Sequence, residues 1–346
     1  MKPIRVLSLF DGISCGQVAL ERAGIPVEVY YASEIDKYAI QVTQKNYPNT
    51  IQLGDINNID FTQFIGKIDL IIGGSPCQDL SIAGLRKGLQ GERSGLFYKF
   101  VEAIETIKPK YFLLENNVGM PQDAYEEMSR LMGCYPIEIN SALVSAQNRK
   151  RYYWTNIGDK NYNLFGFPTV AIPQPKDKKI VLKDILQENI NVKERDISNF
   201  HPVNTANYVQ FDVSGKGYKS QQDRAYYTNV KMGTVPSCQA HNKVNIIVRL
   251  GKYGKGGQGQ RLYSANGKSV CLGLGGSNRE SYKIDTCDNS YIIRSLTPVE
   301  CERLQTLPDN YTDCISNLQR YKAIGNGWTV DVIVHIFSYL KDELDK

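Results

Sequence analysis

Hydrophobic positions in the first half of the chain gather in short, mostly apolar runs: Ile4–Phe10, Val27–Ala32, Ile51–Leu53, Ile68–Ile72, Tyr111–Leu114 and a stretch around Ile137–Val144. Runs of that length and character are what strands buried on both faces require. Between them the spacing becomes helical. One segment begins around Val18 and ends near Gly24, and Leu96–Ile107 places Phe97, Phe100, Val101 and Ile104 on one face. Strands alternating with helices predict a parallel, doubly wound α/β sheet.

The rhythm breaks near Asn161. Pro168, Pro173 and Pro175 read as a linker. From Ile180 to about Ile293 the residues Gly, Tyr, Asn, Gln and Lys dominate, as in Gly251–Gln260. Arg224-Ala225-Tyr226 ahead of Gly233-Thr234-Val235, and Arg261-Leu262-Tyr263 ahead of Gly267–Val270, form a weak internal repeat. Paired hairpins presenting Arg, Lys, Gln and Asn would suit a nucleic-acid groove. A partly disordered insert is the alternative; Val244–Leu250 and the paired hydrophobic runs favour folded β structure. The helical signal returns at Thr297-Pro298, an N-cap followed by proline at the first helical position. Val330, Ile333, Val334, Phe337 and Leu340 then make a last amphipathic helix, expected to cover the first sheet. The chain is thus expected to divide into 1–160, 161–293 and 294–346, the last part completing the first.

Open α/β sheets do their chemistry at the carboxyl ends of strands. The first strand runs into Phe10-Asp11-Gly12-Ile13-Ser14-Cys15-Gly16, a strand–glycine loop–helix unit. It lacks both G-x-G-x-x-G and a phosphate-binding Lys-Ser/Thr pair, which disfavours a dinucleotide or a triphosphate; the loop suits a ligand with an adenosine but no pyrophosphate, or is a plain βα turn. Glu34, followed by Ile35, stands at the tip of strand two, where an acidic residue takes ribose hydroxyls; Asp36 is expected to cap the next helix. At the third tip, Asp55 could accept from an adenine amino group while Ile56 packs on the ring. Gly73-Gly74-Ser75-Pro76-Cys77-Gln78 ends the fourth strand, with a proline fixing φ just before a thiol. Cys77 is there either a nucleophile or a small buried hydrophobe. The polar loop after it, with Ser81, Arg86, Lys87 and Arg93, reads as a mobile active-site loop or as solvated surface. Glu115 closes the fifth strand as a partly desolvated carboxylate that could give a proton or hydrogen bond to a substrate nitrogen. If the next segment is extended, Gln147, Arg149 and Arg151 share one face. Their guanidinium groups could fork onto carboxylates, phosphates or a carbonyl oxygen, or form a salt-bridged strand edge.

Composition excludes more than it assigns. A net charge of +5 over 346 residues permits an anionic partner without requiring one. Eight cysteines without a C-x-x-C pair, and only three histidines, argue against a zinc site and fit a reduced, cytoplasmic compartment. No run of eighteen apolar residues exists, and the start enters a strand without a signal peptide.

Taken together and in order, these motifs resemble those of the DNA (cytosine-5)-methyltransferases, bacterial and phage type, over nearly the whole length. Leu9–Ile13 resembles that family's cofactor loop, and Glu34 and Asp55-Ile56 its ribose and adenine contacts. Ser75–Gln78 is similar to its highly specific nucleophile motif, Glu115-Asn116 to E-N-V, and Gln147-x-Arg149-x-Arg151 to Q-x-R-x-R. Leu296-Thr297-Pro298-x-Glu300 and Gly325-Asn326 resemble the two terminal motifs. Ser14-Cys15 replaces the usual glycine pair, Asn117 the valine, and Gly327-Trp328 the commoner small-plus-valine pair.

The resemblance implies a Rossmann-like α/β domain, an inserted and mostly β target-recognition domain at 161–293, and a C-terminal helix returning to the first domain. It implies S-adenosylmethionine as cofactor, held by Phe10, Asp11, Gly12, Ile13, Ser14, Glu34, Ile35, Asp55, Ile56, Pro76, Leu96, Asn326 and Trp328, the last stacking on it. Cys77 would add to C6 of a flipped-out cytosine, Glu115 would act at N3, and Arg151 with Arg149 would hold the base oxygen and position Glu115. Duplex DNA would be touched by Ser81, Arg86 and Arg93 and by Arg224, Tyr226, Arg261 and Tyr263. A monomer is expected, a cognate restriction endonuclease being a separate partner where one exists. A tRNA cytosine-5 methyltransferase of the same family would share the motifs around Cys77, but the long middle insert favours a duplex reader. A non-catalytic DNA-binding relative would be expected to lack Cys77 or Glu115. An NAD-dependent oxidoreductase accounts only for the early half-fold, and an amino-methylating enzyme would carry an Asp/Asn-Pro-Pro-Tyr/Phe motif.

Overall fold

The computed structural model describes residues 1–75, 95–163, 166–188 and 291–346, together with the segments 200–202, 208–210, 224–226, 249–253, 261–264, 267–269 and 281–285. The first part alternates as its periodicity predicts: β1 (Ile4–Leu9), α1 (Cys15–Ala23), β2 (Val27–Ser33), α2 (Lys37–Asn46), β3 (Ile51–Gln52), β4 (Leu70–Gly74), α3 (Gly95–Ile107), β5 (Tyr111–Asn117), α4 (Gln122–Met132), β6 (Ile137–Asn140) and β7 (Lys150–Thr155). These strands form one sheet in the order β3-β2-β1-β4-β5-β7-β6. β7 runs antiparallel to both neighbours, and β1 to β5 are parallel. The order reverses between β1 and β4, so their carboxyl ends open a crevice.

Both faces of this sheet are covered, which is why its central strands are mostly apolar. Leu7, Leu9, Ile71 and Leu114 join Phe97, Phe100 and Trp154 in one core layer. Val6, Ile72 and Leu113 point the other way, into a layer with Val18, Leu20, Ile333 and Phe337. The alternation is the two-residue period of a strand.

β5 runs three residues beyond its apolar stretch because Asn116 and Asn117 continue the ladder opposite Tyr152 and Arg151. The run around Ile137–Val144 splits instead. β6 ends at Asn140, whose Oδ1 accepts from Ala142 N–H (3.0 Å) and caps a 3₁₀ turn over Ser141–Leu143.

The stretch read as a proline linker is in part a ribbon. β8 (Lys160–Tyr162) pairs antiparallel with β9 (Pro168–Val170). Pro168 is tolerated because it is the first residue of an edge strand. Beyond it come β10 (Phe200–Pro202), β11 (Tyr208–Gln210), β12 (Arg224–Tyr226), β13 (Arg249–Tyr253), β14 (Arg261–Ser264), β15 (Ser281–Asp285) and β16 (Tyr291–Ser295). A second sheet has the order β10-β13-β14-β15-β16, and β11 with β12 makes a separate ribbon. The two Arg-x-Tyr segments of the weak repeat, in β12 and β14, therefore lie in different sheets. Of the β run read at Val244–Leu250, only its last two residues lie among the described ones, at the start of β13.

Helices close the chain: α5 (Pro298–Leu304), α6 (Asn317–Asn326) and α7 (Val330–Leu344). α5 starts in a full capping box, with Thr297 Oγ1 accepting from Glu300 N–H (3.2 Å) and Glu300 Oε2 from Thr297 N–H (2.8 Å). α7 packs against α1 and so returns the C-terminus to the first sheet. Among the described residues no helix is long and apolar enough to cross a membrane.

Candidate active site

The loop after β1 is tightly wound. Phe10, Gly12 and Ser14 all have left-handed φ near +60°, which costs each non-glycine residue about 1–2 kcal/mol. Hydrogen bonds compensate. Asp11 Oδ1 accepts from Tyr30 Oη (2.8 Å) and its Oδ2 from Ser14 Oγ, which in turn accepts from Gln17 Nε2 and Thr43 Oγ1 (3.1 Å each). Burial of the Asp11 carboxyl pushes its pKa up to about 6, against the pull of hydrogen bonds from Ser14, Ser8 and Tyr30. Burial also pushes the neighbouring Cys15 thiol up to about 12, which marks it as inert packing.

Glu34 ties the β1 and β2 tips together. Its Oε2 accepts from Gly12 N–H (2.8 Å) and its Oε1 from Ile35 and Asp36 N–H (2.7 and 2.8 Å). Asp36 caps α2, accepting from Tyr38 N–H (2.9 Å), and pairs with Lys322 Nζ (2.7 Å). Asp55 spends Oδ1 on Asn57 and leaves Oδ2 as an acceptor without a hydrogen bond among the described residues. Ile35 is 75 % exposed between these two acids. A Cβ built on Gly12 or Gly54 would meet nothing within 4 Å. Spare carboxylate lone pairs, an exposed aliphatic surface, open space over two glycines and no cation in the 10–16 loop fit an adenosyl group without phosphates.

A second cluster lies at the β4 and β5 tips. Gly74 pairs with Glu115 across the ladder, and Asn116 Nδ2 donates to Ser75 Oγ (3.1 Å) between two buried side chains. The chain heading into Pro76 and Cys77 is thus held beside Glu115. Arg151 Nε lies 2.8 Å from Glu115 Oε1, the pair being 13 % and 12 % exposed. Glu115 Oε2 accepts no hydrogen bond among the described residues; it and Trp328 Nε1 come within 3.1 and 3.0 Å of where a Gly74 Cβ would sit. A side chain at 74 would sit tight against both and press on them.

Arg149 does not join Arg151 beside Glu115, as was expected of it. It is buried, and its guanidinium donates to the carbonyls of Gly325 (3.2 Å) and Gly327 (3.1 Å). Alternation would put both on one face; the difference is that Arg149 lies just before β7, where the carbonyls at the end of α6 and in the loop after it claim its guanidinium. Gln305 completes that loop, donating to Ile324 and Gly327 carbonyls (2.9 and 3.1 Å) and accepting from Thr329 Oγ1 (2.8 Å). Sequence reasoning missed Gln305 and the roles of Thr329 and of the Asn116–Ser75 contact, whose partners are distant in the chain and carry no local signal.

Several predicted cofactor residues turn inward. Ile56 was expected against an adenine ring, but its side chain is buried, in the same core layer as Leu7 and Phe61. Ile13 and Ser14 are buried too, and Ile13 O accepts from Tyr311 Oη (2.7 Å). Phe10, Leu96 and Trp328 are half-buried and Asn326 exposed. Pro76, Cys77, Ser81, Arg86 and Arg93 lie outside the described residues, and Arg224, Tyr226, Arg261 and Tyr263 are described by backbone alone, in β12 and β14. Among the described residues no group of His, Cys, Asp and Glu could hold a metal ion.

Comparison with known proteins covers almost the whole chain. The family model for C-5 cytosine-specific DNA methylase matches residues 4–342. The chain is 28 % identical to the type II methyltransferase M.HhaI of Haemophilus parahaemolyticus, over 96 % of this chain and 93 % of that protein. It is 27 % identical to the orphan methyltransferase M.SPRI of Bacillus phage SPR, over 98 % of each. Among solved structures, the methyltransferase EhMeth of Entamoeba histolytica is similar with a TM-score of 0.64 at 16 % identity, over the full length of both chains. A putative DNA modification methyltransferase encoded within an E. coli prophage gives 0.62 at 20 %, over 99 % of this chain and 100 % of that one. At these identities the solved structures speak to fold alone.

Proposed function

The chain belongs to the C-5 cytosine-specific DNA methylase family, and on that premise we propose that it transfers a methyl group from S-adenosylmethionine to C5 of a cytosine in duplex DNA, with Cys77 as nucleophile. One observation carries the reading: the pairing of Gly74 with Glu115, locked by Asn116 on Ser75, brings the chain entering Cys77 alongside a carboxylate already paired with Arg151.

The chemistry these residues would perform follows from the target ring, whose C5 is a poor nucleophile. Addition of the Cys77 thiolate to C6 turns the ring into an enamine whose electron density rises at C5. A free thiol near pKa 8.5 is only a few per cent ionised at neutral pH, so cationic neighbours assist it. Glu115, through the oxygen that Arg151 leaves open, holds N3 and stabilises the ring under attack. Arg151 orients Glu115 and would hold the base oxygen. Arg149 is better read as a positioning residue for the loop carrying Asn326 and Trp328. S-adenosylmethionine supplies an electrophilic methyl group; Glu34, Ile35, Asp55 and the 10–14 loop are the residues suited to hold its adenosyl part. Loss of the C5 proton then returns electrons to the ring and releases Cys77. Because C6 is shielded in a duplex, the base must be flipped out, at a cost of roughly a few kcal/mol.

Residues 1–160 and 294–346 would form the catalytic part, and 161–293, with the second sheet, the DNA-reading part. The test is transfer of labelled methyl from S-adenosylmethionine to duplex DNA and, in parallel, to bulk tRNA, with Cys77→Ser as control. Label in DNA as 5-methylcytosine, absent with the variant, is the expected result. Label in tRNA alone would make the second sheet an RNA reader, and label in neither would overturn the reading.

A further inference from the structure

After β14 the chain leaves the second sheet and threads back to the first. Gly267 O accepts from Leu182 N–H (2.9 Å), Ser269 N–H donates to Ala146 O (2.7 Å), and Asn148 N–H donates to Ser269 O (3.0 Å). Ser269 thereby lies parallel to Gln147, and the three-residue segment is wedged between 146–148 and 180–182. The side chain between them does more. Lys268 Nζ donates to the carbonyls of Ala142 (2.9 Å), Ser145 (3.0 Å) and Ile180. Among the described residues no carboxylate pairs with it. A half-buried ammonium that donates to three carbonyls is favoured in one position, since a shift that loses them leaves the charge desolvated, with Asp177 and Asp184 acting on it only from a distance. Burial accordingly pulls its pKa below the usual lysine value.

What Lys268 grips is the approach to the candidate site. Ala142 and Ser145 lie at the end of the turn after β6, Gln147 follows, and Arg149 and Arg151 come next. Gln147 is fully buried and neither end of its amide has a partner among the described residues, so its own side chain does not set its place there. The backbone pairing with Ser269 does. Arg149 then braces the Trp328 loop and Arg151 meets Glu115. Only two residues separate Ser264, the end of β14, from Gly267.

We propose that Lys268 is a positioning residue that couples the seating of the second sheet on its substrate to the alignment of Arg149 and Arg151. Its catalytic arm rests on the methyltransferase reading; its structural arm does not. Lys268→Met keeps the length of the side chain and removes the charge. The amides of Asn148, Leu182 and Ser269 are then expected to exchange hydrogen faster than in the native chain. Methyl transfer to duplex DNA is expected to lose roughly ten- to a hundredfold in kcat, the scale of an ångström's misplacement. Affinity for S-adenosylmethionine, measured by calorimetry, is expected to fall by much less than kcat, since it is touched only through the Arg149 brace of the Trp328 loop, and melting is expected to stay cooperative with a small drop in midpoint. Unchanged exchange would overturn the clasp, and faster exchange with unchanged kcat would overturn the coupling. A parallel fall in kcat, cofactor affinity and melting temperature would reduce Lys268 to a structural staple and equally overturn it. A native chain inactive on DNA would sink the functional reading instead, with the exchange result still deciding the clasp.

Discussion

Two carboxylate–arginine pairs in this molecule use the same chemistry to opposite ends. Glu302 is fully buried and Arg320 11 % exposed, with Nη2 2.9 Å from Oε1. Glu302 also accepts from Thr312 N–H (2.9 Å), Thr312 Oγ1 and Asn310 N–H (2.8 Å), so both of its oxygens are engaged and the loop from Asn310 to Thr312 is wrapped around it. Glu115 is about as close to Arg151, but one of its oxygens takes no hydrogen bond among the described residues and looks toward Trp328 and the exit of β4. A saturated buried carboxylate holds structure. One with an open lone pair, at the carboxyl edge of a sheet, is available to a substrate.

That contrast can be broken most directly at Glu115. Glu115→Gln keeps the shape and should cost about 10²- to 10⁴-fold in methyl transfer, the usual worth of a positioned acid–base group. Its thermal midpoint should stay near that of the native chain; a large drop would place Glu115 in the structural class. Removing Arg320 (Arg320→Met) should do the reverse. Leaving Glu302 buried and uncompensated is expected to destabilise the fold by about 3–5 kcal/mol in urea denaturation, while activity per folded molecule is kept.

Asp11 offers a third case, a buried carboxyl with no arginine. The folded chain holds its proton up to about pH 6, while the unfolded chain releases it near the ordinary value of 3.8. The native state therefore binds more protons in that window, and its extra stability, complete below about pH 4, is lost as pH rises through 6. The loss should be on the order of 3 kcal/mol. Denaturation midpoints of the native chain and Asp11→Asn across this range check it, since the variant should lack that slope. The smallest effect is expected at Thr297→Ala, which removes half of the α5 capping box and touches neither ion pair. About 1 kcal/mol of stability should go, measured in urea, with methyl transfer unaltered.

Much of this arrangement is readable in the chain before folding is considered. Six of the seven strands of the first sheet are announced by mostly apolar runs, β7 being legible only as a segment that could be extended, and Asp36 and Thr297 announce the helices they cap. The tips bearing Asp11, Glu34, Asp55 and Glu115 follow from where those runs end. The role of Ile56 was not readable, because a short apolar residue at a strand tip can face a ligand or the core, and here Phe61 and Leu7 claim it. Pro168 as a strand residue was equally hidden, since only its place at the start of an edge strand excuses its missing N–H.

What the amino-acid order determined alone is what depends on near neighbours: the two-residue period of strands, the helical period, the capping residues and the left-handed glycine turn after β1. These are settled by sterics and by hydrogen bonds a few residues long. Tertiary structure decided which of two nearby arginines meets Glu115, since Arg149 is claimed by the carbonyl of Gly327, 178 residues away. It also decided that Lys268 reaches back 126 residues to Ala142. Such partners are selected by the way layers pack and by the cost of leaving a buried charge unanswered, and no local pattern encodes either.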